Sequence, residues 1–235
     1  MLDRAAILLG ASGSVGEALL AELLNSGGFS RVFILTRRSL GLRIAANAEE
    51  RLVPDMDPTS LARAVVDVLS GCATEAVGFS TLGIGAGTAK LTLEAHRAVD
   101  VGLNAAFARG LKSSGKVKHL CFMSAVGADI NARTTGSGAA GMPRYARVKG
   151  EAEAAVASEG PPLVSIFRPS AIIGSRHTPG VLAVVLPLLA PLTPAKLRPI
   201  RTTEIARAMV AVALRPPARS AIYHYPEMMA LVGSR

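Results

Sequence analysis

No tryptophan occurs in this 235-residue chain, cysteine occurs twice, and aromatic side chains make up only 4% of it. Each scarcity excludes something. Proteins that grip nucleic acid non-specifically stack bases on aromatic rings set among basic residues. Here the basic residues are spread along the chain without aromatic interleaving, so a nucleic-acid partner is not expected. Cys72 and Cys121 lie far apart and fit no metal-ligand or disulfide spacing, so they read as small core residues of a reduced compartment, with no metal site. Long apolar runs are missing too. The leading suspect, Val181 to Leu192, is too short to span a bilayer and is broken by Pro187 and Pro191, which makes burial in protein its expected fate. The N-terminal apolar run lacks a basic flank of any length and leads straight into a glycine turn, unlike a signal peptide. A soluble, cytoplasmic protein with no membrane partner is expected. Acidic residues are in deficit, 17 against 26 Lys and Arg, and the formal charge of +9 suits attraction of an anionic cofactor.

What is present is organised around Gly10-Ala11-Ser12-Gly13-Ser14-Val15-Gly16. An apolar run, Ala5 to Leu9, precedes it and an amphipathic stretch, Glu17 to Asn25, follows, so the glycines stand where a buried strand becomes a helix. Glycines at that junction permit a tight turn and close backbone approach to a pyrophosphate, and the amides at the helix start attract the anion. Arg31 to Thr36 reads as a second buried strand, ending in Thr36-Arg37-Arg38. At this point in dinucleotide-binding folds a carboxylate accepts from the ribose of NAD, whereas an arginine pairs with the 2′-phosphate of NADP. The arginines point to NADP, with NAD as the alternative.

Strand and helix alternate from there on. Arg51 to Val53 predicts a third strand, and Asp57 or Thr59 a cap for a helix over Ser60 to Leu69. Asp55 sits where a carboxylate could accept from the adenine amino group or simply form a turn. Glu75 to Leu82 predicts a fourth strand running into Gly83-Ile84-Gly85-Ala86-Gly87, so backbone near Leu82 and Gly83 can approach a ligand at the C-terminal edge of the sheet. Thr88 to Gly110 has one long helical pattern, on or near which His96 reads as a solvated or capping residue. Lys116 to Ser124 is a fifth strand with Ser124 at its end, and Gly127 to Gly141, rich in small residues, a mobile loop over the site. Pro143 opens a helix running to about Ala157 that puts Tyr145 and Lys149 on one face, where the ammonium can make the phenol a usable proton donor. Leu163 to Arg168 is a sixth strand ending at Pro169, whose backbone lies at the nicotinamide edge, and Thr202-Thr203-Glu204 starts a last helix, Ile205 to Leu214. The fold class is α/β, a doubly wound parallel sheet in three layers, in one domain over residues 1–235. Residues 175–235 contribute a small helical appendage on the substrate side.

Together, Gly10, Gly13 and Gly16 as Gly-x-x-Gly-x-x-Gly, Asp55, Ser124 and the Tyr-x-x-x-Lys of Tyr145 and Lys149 resemble the short-chain dehydrogenase/reductase superfamily in its extended or atypical branch. Met123 to Asp129, Tyr145 to Glu153 and Phe167-Arg168-Pro169 look most like the small NAD(P)-binding oxidoreductases related to the Tat-interacting protein. The resemblance implies a Rossmann sheet of order 3-2-1-4-5-6 with room for a further strand. It implies that Tyr145 protonates a carbonyl oxygen, Ser124 orients it, and Lys149 holds the nicotinamide ribose. The implied cofactor set is Gly10, Ser12, Gly13, Ser14, Val15, Gly16, Arg37, Arg38, Asp55, Leu82, Gly83, Lys149 and Pro169, and a homodimer is an open option. One departure stands out. The family's frequent helix-four asparagine aligns with Asp100, and Asn104 lies one turn later. The expectation is an NADP-dependent oxidoreductase acting on a small carbonyl or alcohol. The alternatives are an NADP(H)-sensing protein with little turnover and, last, a nucleotide-sugar epimerase or dehydratase.

Overall fold

The computed structural model describes residues 4–41, 45–174 and 193–233. Strand β1 (Ala5–Leu9) shows how the sheet is built, since its residues are all buried and alternate between faces: Ala5, Ile7 and Leu9 enter one apolar layer, Ala6 and Leu8 the other. Such two-sided burial is what a central parallel strand requires. Beside it run β2 (Arg31–Thr36), β3 (Ala48–Leu52), β4 (Ala76–Ser80), β5 (Val117–Met123), β6 (Leu163–Phe167) and, far along the chain, Ala221–Tyr223. The sheet is parallel throughout, in the order β3, β2, β1, β4, β5, β6 and then the Ala221–Tyr223 strand. The expected order is therefore found, with the further strand added at the β6 edge. Because the chain leaves β1 toward β3 and returns to β4 on the other side, the order reverses between β1 and β4, where α/β sheets place their ligands.

Helices cover both faces. Residues of α1 (Ser14–Asn25) pack on one, and those of α2 (Pro58–Ser70), α4 (Asn104–Ser113) and α5 (Pro143–Glu159) on the other. The long helix expected over Thr88 to Gly110 is interrupted. A 3₁₀ segment, Gly85–Lys90, ends at an extended Leu91. Helix α3 (Leu93–Arg97) then starts afresh at Thr92, whose hydroxyl accepts from Ala95 N–H at 3.1 Å. A π-helical stretch, Ala98–Leu103, joins α3 to α4. A threonine cap and a widened turn leave the apolar spacing almost unchanged, which is why the pattern reads as one helix.

The second helix is capped by Asp57, whose carboxylate accepts from Thr59 N–H and Ser60 N–H at 2.8 and 3.0 Å, one of the two caps expected. Near the C-terminus, α6 (Thr202–Leu214) packs on α1, and its Ile205 and Met209 belong to the same buried layer as Leu19 and Leu23. Glu204 accepts from the N–H of Arg201 at 2.8 Å at its start. A small second sheet pairs β7 (Ile172–Ile173) with β8 (Ile200–Arg201). With β9 (Ala221–Tyr223) and α7 (Tyr225–Gly233), the described C-terminal segment completes the sheet as well as flanking it. The apolar run Val181 to Leu192 lies outside the described residues, and among these no helix is long and apolar enough to cross a membrane.

Candidate active site

Two cavities open where β1 and β4 end. The first, ≈ 420 Å³, is lined at one end by Gly10, Ala11 and Ser12 of the glycine turn and at the other by Arg37, Arg38 and Ser39 after β2, with Met56 and Leu82 between. Two of its glycines are required sterically. Gly10 has φ +91°, and a Cβ there would come within 2.6 Å of Leu82 N; a Cβ on Gly16 would overlap the carbonyl oxygen of Gly10. The turn is thereby pulled onto the strand, and its N-cap, Gly13, offers no side chain to occupy the helix start. Val15 and Gly16 are buried under the turn and shape it rather than face the cavity.

The opposite end is basic. Arg37 and Arg38 are exposed and neither forms an ion pair among the described residues, so both guanidinium groups remain available to an anion. A carboxylate that the sequence reading missed, Glu50 of β3, is close but already engaged: it accepts from Ser39 Oγ and from Leu40 N–H, each at 2.8 Å, and so folds this loop. The Thr36 hydroxyl donates to the Arg38 carbonyl at 2.7 Å. Asp55, offered by the sequence as an adenine contact or a turn former, stands apart from the main cavity. It is exposed and lines a separate shallow cavity with Arg51 and Arg63. The next residue, Met56, held at φ +42°, takes the place on the main cavity wall.

The second cavity, ≈ 350 Å³, begins at Gly83, the residue after Leu82. Ser124, Tyr145, Lys149 and Pro169 all line it, together with Met123, Ala140, Gly141 and Ile172. Residues far apart in sequence thus meet because β5, β6 and α5 all end or begin at this edge. Ser124 is buried, its N–H donates to the Phe167 carbonyl at 2.7 Å, and its hydroxyl has no hydrogen-bond partner among the described residues. Tyr145 is half-buried; the Lys149 ammonium lies 5.7 Å from its ring centroid. The Pro169 carbonyl accepts from Val126 N–H at 2.9 Å, which holds that backbone at the cavity. Behind it, Arg168 clamps Glu153 of α5 through two hydrogen bonds, at 2.8 and 2.5 Å. The small-residue loop is tied at its start, where Asp129 N–H donates to the Ala146 carbonyl, and reaches the cavity at Ala140 and Gly141.

Lys149 is almost fully buried, and its partner is Asp100, 2.7 Å away and fully buried on the π-helical stretch. Burial works to discharge the amine, but the phenol of Tyr145 and the carboxylates of Asp100 and Glu153 outweigh it and raise its pKa. Burial likewise opposes ionisation of Asp100, yet Lys149 above all, then His96, hold its carboxyl down at about 2. His96 is a correction too: it is wholly buried, 3.8 Å from Asp100, with its ring 5.9 Å from that of Tyr145. The i, i+4 spacing of His96 and Asp100 turns both toward α5, and a local reading cannot tell which helix face will be covered. Asn104, also missed, accepts from Ser80 Oγ at 2.5 Å and donates to the carbonyls of Asp100 and Leu82, fastening the end of β4 to the π-helical turn.

A family profile described as NAD(P)H-binding matches residues 10–216, which span both cavities. The chain belongs to that NAD(P)H-binding family. Among its relatives, the protein named fmp52, mitochondrial, of Aspergillus niger is 30% identical over 170 residues, covering 72% of this chain and 67% of the relative. Among solved structures, the enzyme WbmG of Bordetella bronchiseptica in complex with NAD aligns with TM-score 0.65 and 16% identity over 100% of this chain and 78% of that one. A short-chain dehydrogenase from Burkholderia cenocepacia in complex with NADP aligns with TM-score 0.63 and 18% identity over 99% and 92%. At such identities these likenesses establish the fold, a Rossmann sheet. Within this NAD(P)H-binding chain, the first cavity offers a phosphate turn at one end and free guanidinium groups at the other, a spacing of chemistries that suits a dinucleotide.

Proposed function

We propose that the protein is an NADP-dependent oxidoreductase that interconverts a small carbonyl compound and its alcohol. One observation carries this reading: Ser124, Tyr145 and Lys149 line a single cavity that adjoins the one built by the glycine turn. The residues suit the cofactor, because backbone approaches closely at Gly10 and Gly16 and the Ser124 hydroxyl is buried with no hydrogen-bond partner among the described residues. A bound nicotinamide would supply or accept the hydride. Tyr145 gives its hydroxyl proton to the substrate oxygen during reduction and takes one back during oxidation. Ser124 donates to the same oxygen and orients it, and Lys149, an ammonium beside the ring, stabilises the phenolate that remains and reaches toward the ribose. Arg37 and Arg38 select the 2′-phosphate of NADP over the bare ribose of NAD.

The cavity wall beyond these groups is small and apolar, which favours an uncharged substrate. A panel of aldehydes and ketones assayed with NADPH and NADH tests the proposal. NADPH oxidation that depends on substrate and is lost in Tyr145→Phe supports it. Tight NADPH binding with no turnover on any substrate would replace it with a cofactor-sensing role. The compartment is read as the cytoplasm, whereas the fungal relative is named mitochondrial; cell fractionation distinguishes the two.

A further inference from the structure

Asp100 is placed where two donors converge. One carboxylate oxygen accepts from the N–H of Ile84 at 3.1 Å, and the other faces the Lys149 ammonium at 2.7 Å. Gly83 packs directly over the pair, since a Cβ on it would stand 3.0 Å from Nζ and 3.2 Å from the carboxylate. An asparagine has a single acceptor oxygen and would turn its NH₂ toward one of these donors. A carboxylate instead presents an oxygen to each, one as a hydrogen-bond acceptor and one as an ion-pair partner, and its charge offsets that of an amine with almost no access to water. The carrier of Asp100 is a π-helical stretch, a geometry found mostly at functional positions.

We propose that Asp100 is the positioning residue of the site: it keeps Lys149 an ammonium and fixes it beneath Gly83, facing Tyr145. The inference rests on the oxidoreductase reading for its role in turnover, but the hold on Lys149 stands on geometry alone. The groups facing the pair are Tyr145 and Glu153 on α5, His96 on α3 and the Ile84 N–H after β4. In Asp100→Asn the buried amine loses its counter-charge, so Lys149 gives up its proton at lower pH. The alkaline limb of carbonyl reduction moves the same way, because a neutral Lys149 no longer supports proton donation at this site. A purely structural role would lower the rate equally at every pH.

The test is a pH titration of lysines labelled with carbon-13 at Cε, the Lys149 signal being assigned by its absence in Lys149→Arg. Expected is a fall of at least about one pH unit in the Lys149 titration of D100N, tenfold in the equilibrium, with the reduction profile shifting alongside. D100E, which retains the charge, should return both toward wild type. An unchanged Lys149 titration in D100N overturns the proposal. So does a wild-type Lys149 that titrates well below an ordinary lysine, a result that needs no variant to fold. A shifted titration in D100N with no turnover by the wild-type protein supports the hold of Asp100 on Lys149 and overturns the oxidoreductase reading instead.

Discussion

The two ends of the site handle charge in opposite ways. At the end proposed for adenosine, Arg37 and Arg38 stand in solvent with no ion-pair partner among the described residues, and the Glu50 carboxylate is occupied with Ser39 and Leu40 in folding their loop. At the nicotinamide end, the one lysine is buried and compensated by Asp100 at 2.7 Å. Exposed guanidinium groups cost little to keep charged and act at a distance, but salt screens them. A buried ammonium is costly to maintain and acts only on its neighbours, where its field is strong because water is excluded. The difference separates recruitment from chemistry. On the proposed reading, one end would supply affinity and the choice between cofactors, while the other holds a charge at a chosen point beside a phenol.

The largest expected effects lie at the buried end. Tyr145→Phe should lower the rate of carbonyl reduction by about 10²- to 10⁴-fold while leaving NADPH affinity, read by fluorescence titration, near wild type. A large loss of affinity in this variant would mean that the ends are not separable. Next, Asp100→Ala leaves Lys149 buried without a counter-charge and should destabilise the fold by roughly 3–5 kcal/mol, seen as a lower Tm in calorimetry. The pH dependence has a definite sign. The folded pKa of Asp100 is depressed from 3.8 to about 2, so its contribution is fully present above the unfolded value and is lost as pH falls through the folded one. The stability gap between wild type and D100A should therefore narrow by about 2 kcal/mol between pH 5 and pH 2; a gap independent of acid would show that the pair is not what stabilises this region.

What could be read from the chain follows the same division between local and distant. The glycine turn and the Tyr145/Lys149 pair are short-range patterns, three, six or four residues apart, so helix and turn geometry brings each set together, while the roles come from their context and the family resemblance. The alternation of buried strands and amphipathic helices foretells a parallel sheet, and the family resemblance adds its order. The ion pair of Asp100 with Lys149 joins the π-helical turn to α5, and it exists only because those elements pack together. His96 reads as solvated until α5 covers it. Glu50 lies outside the strand expected over Arg51 to Val53, and its role shows only once the loop reaching Leu40 folds back onto it. Thr92 ends one helical segment and begins another within an unbroken apolar rhythm, so the break in the long helix is invisible to periodicity.

At the exposed end the effects should be smaller and selective. The double variant Arg37→Ala/Arg38→Ala should weaken NADPH about tenfold, the loss of charge-assisted hydrogen bonds that are partly screened by solvent, and leave NADH affinity unchanged in isothermal titration. The wild-type preference for NADPH should also shrink at high salt. Equal losses for both cofactors would place the 2′-phosphate elsewhere and remove the adenosine half of the comparison.

The finest distinction concerns neighbouring residues on the turn after β3. The sequence leaves Asp55 open as an adenine contact or a turn former; in the structure Asp55 is exposed on a separate shallow cavity and Met56 forms part of the wall of the main one. Asp55→Asn removes a solvated charge and should change NADPH affinity by less than about twofold, within the ±0.5 kcal/mol of an ordinary surface substitution. Met56→Ala removes apolar surface from the cavity and should weaken binding severalfold, about 1 kcal/mol. The reverse ranking would mean that the turn rearranges around the base on binding, carrying the carboxylate of Asp55 inward. In that case the adenosine end, unlike the fixed ion pair at the other end, would be shaped by its ligand.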